Sequence, residues 1–308
     1  MFDILGIGEL LIDFTPAGVR KNPLYEMNPG GSAANCMAAC AALGAKVEFV
    51  CAVGADSFGD FLETSLSNLG IGMNALVKRP DEHTTLVFVS IDENAVPHYS
   101  FVKEKGAHVL KKGEFNVDIV KEAKIVAFSL VAFSTKEAHI AVLEAIDTAK
   151  LNGKKIGFDA NYRVRQWDSE ENAVKYMREA VELSDIVKAS ELEAEMITGF
   201  SDPEKAARAM GEGNNKLICV TVGEQGIWYY CGGEYGHVDA VKVDAVDTTG
   251  CGDSFMGAML YQEAYEPEKS VREKISFAAA AAALCAKGYG GIPSMPSIQD
   301  VREMLNKK

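Results

Sequence analysis

The chain predicts an α/β fold: a three-layer α/β/α arrangement with a mostly parallel central sheet, extended by a small β-sheet lid. Three observations predict it. Apolar runs bounded by turn residues alternate with segments of helical period through most of the length, the rhythm of βαβ units whose sheet is covered on both faces. Two stretches, near 10–28 and 76–110, break that rhythm with strand-like runs and no helix between them, as antiparallel strands permit. Finally, 308 residues with 48% apolar and 24% charged content suffice for one sizeable core and an appendage. The expectation is a single domain over 1–308, its lid built from those two insertions.

The elements follow in order. The first strand is expected near 3–8, where Ile4-Leu5-Gly6-Ile7 is apolar throughout, as a strand buried on both faces must be. Paired glycines then precede a helix near 32–43 with Ala38, Ala41, Ala42 and Leu43 on one face. A second buried strand is expected near 46–53 and a helix near 57–68. In the lid region, Thr84-Thr85-Leu86-Val87-Phe88-Val89-Ser90-Ile91 and His98-Tyr99-Ser100-Phe101-Val102 read as successive strands. The alternation resumes with strands near 124–129, 155–159, 185–189 and 216–222 and helices near 136–151, 170–183 and 203–211. Beyond residue 250 the chain is more helical. Ala278 to Ala283 is a run of the best helix former, whose small side chain lets another helix or a flat ligand approach closely; packing is the simpler reading. Gly288-Tyr289-Gly290-Gly291-Ile292-Pro293 ends that helix in a loop.

Bulk properties exclude several function classes. A net charge of −13 argues against nucleic-acid partners, which require clustered Lys and Arg to displace counterions. Seven cysteines without framework spacing fit a reducing compartment. Cys36 and Cys40 lie four apart on a helix, but no His or second Cys pair follows at ligand spacing. The start Met1-Phe2-Asp3-Ile4-Leu5 lacks a basic segment and a long apolar run, so neither export nor a membrane is expected and the cytoplasm is the default. Gly6-Ile7-Gly8 has Leu11 where a dinucleotide fingerprint needs its third glycine, and there is no GxxxxGK[ST] phosphate loop.

The chemistry concentrates at Asp247-Thr248-Thr249-Gly250-Cys251-Gly252-Asp253-Ser254-Phe255, where a Gly-rich turn opens an apolar-periodic helix. Glycines let backbone amides crowd toward an anion, and a helix N-terminus favours negative charge. That suits phosphoryl transfer, with Asp253 taking a proton from an attacking hydroxyl and the Gly250, Cys251 and Gly252 amides stabilising charge on the phosphate. The same residues also suit a plain turn and capped helix. Asp13, in Glu9-Leu10-Leu11-Ile12-Asp13, is expected to end the first strand at the carboxyl edge of the sheet, where it could accept two hydroxyl hydrogen bonds or serve as a turn residue. In Asn28-Pro29-Gly30-Gly31-Ser32-Ala33-Ala34-Asn35, Gly30 and Gly31 allow a ligand to approach the backbone, and Asn35 offers a donor and an acceptor to sugar hydroxyls.

With these segments, the Asp-Thr-Thr-Gly-x-Gly-Asp string resembles the C-terminal signature of the ribokinase-like sugar kinases, also called the phosphofructokinase B type. Residues 28–35 resemble the N-terminal Gly-Gly-x-x-x-Asn signature, and Gly54-Ala55-Asp56-Ser57-Phe58-Gly59 a further segment that is mainly structural. Asp159-Ala160-Asn161-Tyr162-Arg163, with Trp167, is similar to a pattern of fructokinase-like and ketodeoxygluconate kinase-like members, which implies that Arg163 contacts sugar or phosphate; its planar fork suits either. Lys188-Ala189-Ser190-Glu191-Leu192-Glu193 resembles the Asn-x-x-Glu segment, with Ser190 where Asn is usual. This implies nucleotide contacts at Lys188 and Ser190, and magnesium supported by Glu193 through water. Val220-Thr221-Val222-Gly223-Glu224-Gln225-Gly226 resembles the nucleotide loop, placing Thr221, Gly223 and Gly226 at ATP. Asp247 and the Thr249 carbonyl, beside the 288–291 loop, lie where members hold a monovalent cation such as K+.

The resemblance spans nearly the whole chain. It implies magnesium-ATP and a small sugar meeting above the strand ends, with a sugar hydroxyl attacking the γ-phosphoryl group and lid closure excluding water. Fructose is the expected acceptor, with Phe101 and Lys103 of the lid at the sugar; related lids carry Phe-Tyr-Arg and an Ala-Asp pair where this chain has Phe101-Val102-Lys103 and Ala107-His108. The alternatives are a 2-keto-3-deoxygluconate kinase, to which Arg163 with Lys103 or Lys105 would supply charge, a ribokinase or nucleoside kinase, a non-catalytic sugar-binding regulator, and an adenylate-sensing scaffold. Exposed lid edges imply a homodimer.

Overall fold

The computed structural model describes residues 2–17, 24–91, 97–102 and 108–306. The chain opens with β1 (Ile4–Ile7), β2 (Leu11–Pro16), β3 (Tyr25–Gly30) and α1 (Ser32–Ala42), then β4 (Val47–Gly54), α2 (Ser57–Asn68), β5 (Ile71–Gly72) and β6 (Leu76–Arg79). Next come β7 (Leu86–Ile91), β8 (Pro97–Phe101), β9 (Ile125–Ser129), α3 (Lys136–Leu151), β10 (Lys155–Asp159), α4 (Glu170–Leu183), β11 (Ile186–Ser190) and α5 (Glu191–Thr198). The last part holds α6 (Pro203–Gly211), β12 (Leu217–Thr221), β13 (Ile227–Cys231), β14 (Glu234–Val238), α7 (Cys251–Tyr265), α8 (Val271–Cys285) and α9 (Ile298–Asn306).

The main sheet runs in the order β14-β13-β12-β11-β10-β9-β1-β4-β5, with β6 beside β4. Its centre is parallel, while β13 and β14 add to β12 as an antiparallel edge. Successive residues of each central strand serve opposite faces, as a period of two requires. Ile4, Phe49 and Ala127 pack with α1, α7 and α8, whereas Leu5, Val50 and Val126 pack with α3, α4 and α6. The expected mostly parallel sheet between two helical layers is thus observed, with a separate four-stranded sheet in the order β3-β2-β7-β8.

Two expectations about placement need correction. Asp13 does not end the first strand: β1 stops at Ile7, the chain bends at Gly8, and Asp13 lies within β2 of the small sheet. Its run of apolar neighbours reads as one strand because Glu9 and Leu10, which bridge the two sheets, are themselves buried. Residues 76–79 pair in parallel with β4, so the small sheet draws from the second stretch only β7 and β8. The β13–β14 hairpin was not expected from the alternation; Gly232 and Gly233, both at positive φ, make its two-residue turn between the paired Cys231 and Glu234.

Candidate active site

The first turn of α7 brings Asp253 to the floor of a cleft between the main sheet's carboxyl edge and the small sheet. Gly250 caps α7 with φ of 79°, a conformation open to glycine, and a Cβ there would lie 2.8 Å from Gly291 Cα. The 250–252 turn and the 288–291 loop therefore pack backbone to backbone.

Three side chains hold the Asp253 carboxylate. Ser32 Oγ donates to Oδ1 at 2.8 Å, Asn161 Nδ2 donates to Oδ1 at 3.0 Å, and Asn35 Nδ2 donates to Oδ2 at 2.8 Å. Ser32 and Asn35 share one face of α1 through their spacing of three. Gly31, at φ 108°, lets that helix start against Glu9, whose carbonyl would lie 2.6 Å from any Cβ. Asn161 follows β10 at φ 30°, a left-handed conformation that Asn tolerates better than most residues.

The cleft has a volume of about 600 Å3. On its small-sheet side stand Asp13, Val87 and Phe101, and on its main-sheet side Arg163, Lys188 and Glu193. Asp13 needs a glycine at position 30, diagonal to it across β2 and β3, since a Cβ there would fall 2.1 Å from Asp13 Oδ2. Burial pushes the Asp13 carboxyl up to about 7, opposed by the charge of Arg163. Burial also raises the carboxyl of Glu9, which accepts from Ala33 N and Ser129 Oγ. Gly30 itself does not line the cleft, whereas Gly31 does.

Lys188 is buried and pairs with Asp159 Oδ1 at 3.0 Å. Burial alone would lower its pKa, but Asp159, Glu193 and Asp253 outweigh it and hold Lys188 charged, above the ordinary lysine range. Its Nζ lies 2.9 Å from where a Gly252 Cβ would be, so a cation abuts the α7 turn. Ser190 and Glu193 form a capping box on α5, each accepting from the other's backbone N–H. Glu193 also accepts from Tyr162 N at 2.7 Å. Burial would raise its pKa, but Lys188 and these amides hold it below the usual carboxylate range.

A neighbouring cavity of about 650 Å3 is lined by Thr221, Gly223 and Gly226 and by Ala279, Ala282, Ala283 and Ala286. The two spaces share Thr248 and Gly252. The residues expected at the nucleotide are thus divided: Lys188 and Ser190 face the cleft with Asp253, and the 221–226 loop faces the apolar cavity. The alanine run serves both readings offered for it, since Ala278, Ala280 and Ala281 are fully buried while its other face lines the cavity. Asp247 accepts from Thr249 N and Gly290 N, both at 2.9 Å, and the Thr249 carbonyl accepts from Cys285 Sγ at 3.7 Å. Lys103 lies outside the described residues.

Among the described residues, no three His, Cys, Asp or Glu side chains are grouped to hold a metal ion. Sequence reasoning did not single out Glu9, Asn161, His108 or Gln166 as site residues, yet all four line the cleft. Asn161 had a signal, standing two residues beyond a buried strand; His108 had none in any periodicity. No described helix is long and apolar enough to cross a membrane.

Comparison with known proteins bears on the fold and the family. A sequence profile described as "pfkB family carbohydrate kinase" matches residues 1–298. Fructokinase-1 of Zea mays is 33% identical over 315 aligned positions, covering 99% of this chain and 98% of that protein. The structure of fructokinase with bound ATP from Xylella fastidiosa superposes with a TM-score of 0.90 at 26% identity, covering 99% and 98% of the two chains. Fructokinase from Vibrio cholerae O395, in a form bound to fructose, ADP and calcium ion, gives 0.88 at 25% identity, covering 99% of each chain. With a carboxylate at a glycine-rich helix start, two adjoining cavities and a match along nearly its whole length, the chain belongs to the pfkB family of carbohydrate kinases.

Proposed function

We propose that this protein is an ATP-dependent fructokinase that uses Asp253 as its general base. The observation that carries the reading is the position of Asp253: beside the turn that the cleft with charged and polar lining shares with the apolar cavity, its carboxylate held by Ser32, Asn35 and Asn161. ATP fits the apolar cavity, its base against the alanine face of α8 and its phosphates along the 221–226 loop toward Gly252. The sugar occupies the cleft, with Asp13 and Asn35 engaging its hydroxyls and Phe101 and Arg163 completing the walls. Asp253 takes the proton of the attacking hydroxyl as the oxygen bonds to the γ-phosphorus and the bond to ADP breaks. The Gly250, Cys251 and Gly252 amides and the Lys188 ammonium meet the charge on the transferring phosphoryl group.

The donor set fits magnesium held chiefly by phosphate oxygens and water, since both Glu193 oxygens already accept from main-chain amides and no carboxylate cage is found among the described residues. Such an ion, supported by Glu193 through water, would neutralise phosphate charge. Potassium near Asp247 and the Thr249 carbonyl would steady the same turn. The small sheet serves as the lid, and its outer residues Leu24, Tyr25 and Val102, each at least 40% exposed, suit a homodimer contact. The cytoplasm is the matching location for an enzyme drawing on ATP and free sugar.

A coupled assay offering fructose, 2-keto-3-deoxygluconate, ribose and adenosine with ATP tests this. Fructose is expected to give the highest kcat/KM. Preference for the keto acid would favour the second reading, for which Arg163 stands at the cleft while Lys103 and Lys105 lie outside the described residues; binding without turnover would favour a regulator.

A further inference from the structure

One polar group on the cleft wall has no part in the reaction just described. His108 is 2% exposed and lines the cleft together with Asp13, Val87 and Phe101. Its Nδ1 lies 3.3 Å from Thr85 Oγ1, whereas Nε2 is buried with no hydrogen-bond partner among the described residues. A buried polar atom of this kind costs free energy until a ligand or solvent satisfies it.

The Thr85–His108 contact is met by either of two tautomers, of which we take the one in which the Thr85 hydroxyl donates. Thr85 is buried too, and among the described residues its hydroxyl hydrogen-bonds only to His108 Nδ1. Donation from that hydroxyl to Nδ1 leaves the ring's own hydrogen on Nε2. Burial, and then the charge of Arg79, push the imidazole down to about 4, so the ring is neutral near pH 7. Thr85 sits just before β7, its carbonyl accepting from Ile12 N, and Asp13 is paired with Val87 one step further along. His108 and Asp13 thus line the cleft from neighbouring positions at the small sheet.

We propose that His108 is a sugar-specificity residue, its Nε2–H donating to one hydroxyl oxygen of the bound ketose while Asp13 accepts from others. Thr85 acts as a positioning residue that sets the tautomer. A neutral N–H recognises a hydroxyl and gives no preference for an acid, and a site built around such a donor discriminates against an analogue lacking the matching oxygen. The inference rests on the sugar-kinase reading and extends it to a named contact.

The test compares wild type, His108→Ala and His108→Gln on fructose and its monodeoxy analogues. His108→Ala is expected to raise the fructose KM about tenfold with the ATP KM nearly unchanged, as loss of one buried hydrogen bond implies. The penalty that wild type shows for one particular deoxy analogue should vanish in His108→Ala while the other penalties persist. His108→Gln, whose side-chain amide places N–H groups close to the imidazole Nε2 position, should recover most of the affinity. In the unsubstituted protein, imidazole 15N NMR should show a neutral Nε2–H ring whose Nε2 signal moves on adding fructose. An Nδ1–H tautomer, an unmoved signal, or parallel rises in both KM values with every deoxy penalty intact would overturn the assignment. Absence of sugar turnover by the wild type would instead remove the kinase reading, and this inference with it.

Discussion

Asp253 takes its orientation from three side chains that the chain supplies from positions 32, 35 and 161. On the proposed mechanism Asp253→Asn keeps the shape but loses the base, so kcat should fall by about 10³-fold or more while fructose binding, read by calorimetry, stays nearly constant. Asp13 carries a pH signature. Its carboxyl, lifted from an ordinary 3.8 to about 7, is neutral below that pH and charged above it. Because the charged form accepts hydroxyl hydrogens best, kcat/KM for fructose should rise with pH to about 7 and then level, and Asp13→Asn should be low and lack that rise. Stability runs the other way: the unfolded chain ionises first, so the fold is penalised progressively between about pH 4 and 7 and remains so above. Asp13→Asn should therefore raise Tm by a few degrees at pH 8 and leave it unchanged at pH 4. A fructose profile with no break near 7 would count against the Asp13 contact.

At the scale of elements, helix starts do much of the positioning. The starts of α1 and α7 converge on Asp253, and α5 begins with a capping box whose Glu193 also ties down the Asn161–Tyr162 turn through Tyr162 N. Ser190→Ala removes one cap acceptor and should cost about 1 kcal/mol in urea unfolding. Because Glu193 then loses one of its constraints, the ATP-dependent kcat/KM should fall severalfold while the fructose KM holds. Ser190, standing where Asn is usual in the resembling segment, caps α5, as Asn also can. An unchanged urea midpoint would show that the cap is not needed.

For the whole molecule, the decisive feature is the junction at Thr248 and Gly252, where the apolar cavity meets the polar cleft. The small sheet roofs only the cleft, and its edge strands are β3 and β8. Pairing of two copies through this sheet predicts twice the chain's mass by light scattering after gel filtration. Tyr25→Lys with Leu24→Glu should shift the species to monomer and raise the fructose KM, since an unsupported roof holds the Asp13 and Phe101 wall less firmly. A wild-type monomer at micromolar concentration would remove the dimer.

Most of the order of strands and helices, the glycine-rich start of α7 and the place of Asp253 in its first turn are properties of local sequence. Apolar period and glycine placement act over a few residues, and so they can be read without coordinates. Apart from the β13–β14 hairpin, which is local, what the sequence alone misplaced or missed involves contacts between distant segments. Asp13 moved to the small sheet because the bend at Gly8 is set by packing against Ala33. The roles of Asn161, Glu9 and His108 depend on partners 92, 24 and 23 residues away. Local patterning determined which chemistry this chain could perform, and long-range packing decided which side chains meet at the reacting centre, because burial and hydrogen-bond direction exist only once the layers have closed.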